Sequence, residues 1–165
     1  MNNWAGIIEL KRHLDAAFER IWNVDSDNPE LQSDLARYLC ILVSGYLEKA
    51  VVALLLEHAR QSGGPTLQRF VERKTGRSMN LNTQRLRELI GSFDPDWEHE
   101  LATFLRDHEC KDAVNSVVSL RNRIAHGETV GITYKQISDY YTQIQKVVDY
   151  IATFCCGQKQ LTRPY

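Results

Sequence analysis

Proline and glycine are scarce in this chain, four and nine among 165 residues. That leaves no compositional sign of a collagen-like or low-complexity segment. Strand signals are missing too, since no run joins alternating hydrophobicity to β-branched enrichment with turn residues on both sides. The four cysteines, Cys40, Cys110, Cys155 and Cys156, include no Cys-x-x-Cys spacing. The adjacent pair cannot form an ordinary bridge with itself, so a disulfide scaffold is not expected and a reducing cytoplasm fits best. The longest apolar run, Ala50 to Leu56, falls short of a membrane span, and Met1 to Leu10 has neither the basic start nor the apolar core of a signal peptide. A soluble cytoplasmic protein is expected. No glycine-rich loop precedes a lysine and a hydroxyl, and there is no Gly-x-Ser-x-Gly and no His-Glu-x-x-His. P-loop nucleotide hydrolysis, nucleophile-elbow hydrolysis and zincin chemistry are therefore not indicated. His99, Asp107, His108, Glu109 and Cys110 cluster in sequence without a ligand framework, so no metal and no cofactor is expected.

The composition that remains is that of an ordinary globular domain, 43% hydrophobic and 25% charged. The length suits one domain, expected over 1–156, followed by a flexible tail over 157–165 without periodic pattern. A net charge of −1 hides two patches: seven Lys or Arg against one Glu from Arg60 to Arg87, then seven acids against two bases from Phe93 to Asp112.

Helical periodicity covers most of the chain. Ile7, Leu10, Leu14, Phe18, Ile21 and Trp22 mark an inward stripe on a first helix over 3–22. Asn28 and Pro29 start a second helix running to about Gln61, apolar nearly all round between Leu39 and Leu56 and therefore central. Ser62-Gly63-Gly64-Pro65 ends it and opens a short helix over Thr66 to Lys74. Asn82 caps another from Thr83 to Ile90, and Asp94-Pro95 starts one more. Thr133 to Gln136 has capping-box spacing for a last helix reaching about Phe154. The expected fold is an all-α, up-and-down bundle with short extra helices inserted after the second long one.

The helix from Cys110 to Gly127 organises the rest. Ala113, Val117, Leu120 and Ile124 form one apolar stripe, flanked by Val114, Val118 and Ala125, while Asn115, Ser119, Asn122 and His126 form an opposite polar stripe that resembles the lining of a cleft. Arg121 falls inside the apolar arc, where an unpaired guanidinium would cost several kcal/mol. Glu48 has the complementary problem in the second helix, so a buried Glu48–Arg121 pair is one expectation; the other is that each escapes to solvent. His126 can exchange a proton near neutrality, with Asn122 one turn earlier placed to fix its tautomer. It can equally be a helix-terminal histidine complementing the carbonyl end of the dipole. Arg73, Lys74 and Arg77 belong to the basic block, which suits an RNA track or a plain solvated face. Arg123 projects in a third direction and suits phosphate steering or the surface.

Arg121-Asn122-Arg123-Ile124-Ala125-His126-Gly127, an arginine followed by a polar residue that lies four residues before a histidine at a helix end, resembles the motif of the HEPN family, in particular its RiboL-PSP-HEPN type. The resemblance implies an all-helical, usually dimeric domain, often a metal-independent endoribonuclease of bacterial toxin–antitoxin or anti-phage defence systems. Such an enzyme leaves 2′,3′-cyclic phosphate and 5′-hydroxyl ends. Carried onto this sequence, it implies Arg121, Asn122 and His126 as catalytic residues, with RNA, a second copy of the chain, and an antitoxin or defence protein as partners. The alternative is a non-catalytic helical module that dimerises and binds RNA or a protein.

Overall fold

The computed structural model describes residues 3–25 and 27–156, and of residues 3 and 4 the backbone alone. The expected tail over 157–165 lies outside the described residues. The described residues form six helices and no strand: α1 (Asn3–Trp22), α2 (Pro29–Thr75), α3 (Thr83–Gly91), α4 (Pro95–Asp107), α5 (Cys110–Ala125) and α6 (Tyr134–Cys156).

The helix starts follow local chemistry. Asn28 Oδ1 accepts from the amides of Glu30 and Leu31 at 3.0 and 3.3 Å, with Pro29 in the first turn, where a missing N–H costs nothing. Asn82 and Asp94 cap α3 and α4 in the same way. At α6 the capping box is reciprocal, Thr133 N–H donating to Gln136 Oε1 at 3.0 Å and Gln136 N–H to Thr133 Oγ1 at 3.2 Å. The helix expected over Thr66 to Lys74 runs directly on from the second one, so the two form a single kinked element, α2. The break sits at Gly64, whose φ of 67° and ψ of −163° belong to a region essentially reserved for glycine, and Pro65 then has no amide to donate.

α2 is the central element, packed against α6, α1 and α5, because its apolar side chains point in several directions. Leu39, Val43, Leu47, Val51, Leu54 and Leu55 are all buried there, each worth about 1.5–3 kcal/mol. Part of α2 is long and apolar enough by length and composition to cross a membrane, contrary to the reading from its uninterrupted runs; 56% of that window is buried inside the bundle. α3 and α4, two of the three short helices expected after the second long one, pack on each other and on α5. Rings join α4 to α6, with Trp97 stacked on Phe154 at 5.5 Å and Phe104 on Tyr150 at 4.0 Å. Ahead of the kink in α2 Glu57 is a buried carboxylate that the apolar pattern concealed, and hydrogen bonds from Arg60 hold it below the usual carboxylate range.

Two inward expectations differ. Trp22, the last residue of α1, is 70% exposed and leans on Tyr134, because the helix ends where the core does. In α5, Leu120 and Ile124 are half-buried and Ala125 is exposed, so the last turn emerges from the bundle.

Candidate functional site

α5 enters the core at Cys110, and Ala113, Val114, Val117 and Val118 are buried, with the Cys40 thiol against the Val117 carbonyl. Its polar end is built by its own terminus. His126 is the C-cap, its N–H donating to the Asn122 carbonyl at 3.0 Å. Gly127 then turns to φ 76°, so that the Gly127 N–H reaches the Ile124 carbonyl at 3.0 Å and the Glu128 N–H the Arg123 carbonyl at 2.9 Å. This paired closure needs a left-handed residue. It leaves the His126 side chain exposed, with nothing among the described residues hydrogen-bonded to its ring.

Arg121 is half-buried, and Nη1 donates to Asn122 Oδ1 at 3.1 Å and to Asn80 Oδ1 at 3.4 Å. The Glu48–Arg121 pair is not formed. Glu48 instead accepts from the Met79 amide at 2.9 Å and the Ser78 hydroxyl at 3.4 Å. Backbone and hydroxyl donors satisfy the carboxylate without a cation, and a half-buried guanidinium keeps part of its hydration, so neither group needed the other. Both hold the same loop, 76–82, which Arg85 also grips through the Met79 carbonyl at 3.0 Å. Asn122 likewise differs from expectation, since its side-chain oxygen serves Arg121 and meets His126 only through backbone.

The polar stripe does line an open cleft, of about 770 Å³, shared by Asn115, Ser119 and Asn122 with Thr83, Lys111 and Arg123. His126 is not among its lining residues. Asn115 has a structural duty, accepting from the Thr83 amide at 2.9 Å and its hydroxyl at 3.1 Å, which ties α5 to the start of α3. Arg123 is exposed and paired with Glu128 at 2.8 Å. Arg73 and Lys74 are exposed at the end of α2, and Arg77 is exposed in the loop that meets Arg121. Among the described residues no three of His, Cys, Asp and Glu converge as a metal site.

A family model, RiboL-PSP-HEPN, matches residues 7–157, from α1 to the end of α6. The chain belongs to the RiboL-PSP-HEPN family. HEPN domains are commonly RNases or RNA-binding modules, and this is the class of function that membership suggests. No curated protein and no solved structure matches it.

In this HEPN chain the rest of the molecule offers little competing chemistry. Burial pushes the Cys40 thiol up to about 11 and, with Cys156 beside it, the Cys155 thiol up to about 12, so neither is a nucleophile at neutrality. A more apolar cleft of about 630 Å³ lies away from the motif, among Trp22, Val24, Pro29, Ile132 and Tyr134. No group lining it exchanges protons near neutrality, so the end of α5 remains the better candidate. What the sequence reading missed is Asn80, a non-glycine residue at φ 46° presented to Arg121. The Asn80-Leu81-Asn82 spacing carried a faint signal, because asparagine tolerates left-handed backbone better than most residues.

Proposed function

We propose that this HEPN chain is a metal-independent endoribonuclease that acts as a homodimer. The observation that carries the reading is the end of α5, where a half-buried Arg121 is aimed by two amide oxygens and His126 stands one helix end away with its ring unengaged. In the proposed reaction His126 of one chain accepts the proton of the 2′-hydroxyl as that oxygen attacks phosphorus. The bond from phosphorus to the 5′-oxygen breaks, and a protonated His126 from the other chain supplies the leaving oxygen with its proton. The products are a 2′,3′-cyclic phosphate and a 5′-hydroxyl. Arg121 neutralises the charge that builds on the phosphoryl oxygens, a task suited to a planar multi-donor cation. Asn122 holds that guanidinium, and Arg123 steers phosphate at the cleft. Two chains are needed in this scheme because each offers one histidine, and a two-fold axis would oppose the motif ends. An enzyme of this kind must be restrained in its own cell, which fits a toxin or anti-phage system with a silencing partner.

One observation favours the alternative, a non-catalytic binding module: Arg121 is already engaged within its own chain. RNA incubated with the protein in EDTA separates the two readings. Cleavage that stops on 2′-deoxy substitution and with His126→Ala supports the enzyme. Mixing a small amount of wild type into excess His126→Ala after subunit exchange tests the shared site, because activity per wild-type chain should then fall steeply. Activity proportional to wild-type chains removes the dimeric scheme, and intact RNA under all conditions leaves the binding module.

A further inference from the structure

Gly64 divides α2 into a core segment and a surface segment, and the surface segment has an unusual outer face. Arg69, Phe70, Arg73 and Lys74 are exposed on it, and Arg77 follows just beyond the helix end. Elsewhere the surface cations are commonly matched to acids, as in Lys11–Asp15, Arg37–Asp34, Arg87–Glu98 and Lys135–Asp139. Here Arg69, Arg73 and Arg77 have no ion pair among the described residues; Glu72, on the same segment, accepts from Gln68 at 3.1 Å, and Glu48 is held by Ser78 and Met79. Amid these charges Phe70 is 57% exposed, with Lys74 Nζ 5.7 Å from its ring centroid. Leaving a phenyl ring largely in water forgoes burial energy, and a ligand with flat apolar surfaces and negative charge together would complement its position on the charged face.

We propose that Arg69, Phe70, Arg73, Lys74 and Arg77 form a binding strip for single-stranded RNA, with Phe70 stacking on an unpaired base and the cations following the phosphates. The inference rests on the reading of RNA as this protein's substrate. Arg69 and Arg73 are one helical turn apart, as are Phe70 and Lys74, so the strip presents a row of charge beside a ring. In a duplex the base faces are hidden in the stack, and only the cations could engage; in a single strand both can. The strip also leads to the motif, because Arg77 is followed three residues later by Asn80, whose side chain accepts from Arg121.

The test uses fluorescence anisotropy with cleavage-resistant 2′-O-methyl oligonucleotides, one single-stranded and one duplex of equal length, over a range of salt. Phe70 is exposed, so Phe70→Ala should fold normally, which its melting curve checks. The expected result is about tenfold weaker binding of the single strand by Phe70→Ala, unchanged binding of the duplex, and recovery in Phe70→Tyr. Arg73→Gln should weaken both and flatten the salt dependence. Equal loss on both nucleic acids, no loss on either, or no binding by the wild type overturns the strip. Tolerance of Phe70→Ala together with sensitivity to Arg73→Gln makes it a general polyanion or acidic-protein surface, which also overturns it. A wild type that binds single strands through Phe70 yet leaves cleavable RNA intact removes the nuclease reading and keeps the strip. Cleavage without Phe70-dependent binding does the reverse.

Discussion

The two halves of α5 are built on opposite terms. From Cys110 to Val118 the helix is buried against α2 and α6, and Asn115 spends its side chain on the start of α3. From Ser119 to His126 it rises out of the bundle, so that Leu120 and Ile124 are only half-covered and His126 is exposed. The first half is mostly packing, and the second carries the proposed reactive groups with little packing. In the nuclease reading the site must meet a phosphate and so cannot be covered by its own core, and an arginine with one side in water keeps enough hydration to be stable without a buried counter-ion.

The comparison breaks most sharply at His126. In the nuclease reading His126→Ala should lower cleavage by roughly 10²–10⁴-fold, the range for losing a general acid or base. Its unfolding free energy should change by less than about 0.5 kcal/mol, since the side chain is exposed and its ring has no hydrogen bond among the described residues. A large loss of stability would mean that the motif end is structural after all. Val117→Ala, in the buried half, should do the opposite. It should cost about 2 kcal/mol in urea unfolding, from lost methyl burial plus the cavity left behind, while the folded fraction cleaves at the wild-type rate. A fall in rate per folded molecule would show that the two halves are coupled.

Alkaline pH sharpens the contrast by acting on the buried half. Cys40 packs on the Val117 carbonyl, and burial raises its thiol from 9.0 to about 11. The folded value lies above the unfolded one, so the stabilisation is fully present below pH 9 and is lost as pH rises through 11. Unfolding free energy should therefore drop by about 1–2 kcal/mol more between pH 8 and 11 in wild type than in Cys40→Ala. Parallel curves would mean that the thiol is more hydrated than its position implies. The smallest effect belongs to Glu48→Gln, which weakens two hydrogen bonds to the loop carrying Asn80. Stability should fall by about 0.5–1.5 kcal/mol, and in the nuclease reading cleavage should fall a few-fold as Arg121 loses its support. Unchanged cleavage would make that loop a bystander.

Most of the fold was legible because it is written in local signals. Asn28-Pro29, Asn82, Asp94-Pro95 and the Thr133–Gln136 capping box each act within one turn, and the structure starts helices at all four. The site was legible in part. The polar stripe of α5 was read from its spacing, and three of its four residues line the cleft. The Glu48–Arg121 pair was not there to be read, because a sequence shows that two charges need partners and not which backbone amides will come to meet them.

The one-dimensional chain settled where most helices begin, that α2 is central, and that an arginine and a histidine share the end of α5. These follow from capping groups, glycine and proline conformations and a repeat of 3.6 residues, all of which act over a few neighbours. Tertiary structure alone decided that the loop 76–82 lies between Glu48 and Arg121, that Asn80 and Asn122 aim the guanidinium, and that Trp22 and Phe70 stay exposed. Those outcomes depend on which distant segments fill the same space, and side chains of equal hydrophobicity or charge leave that choice open until the bundle closes.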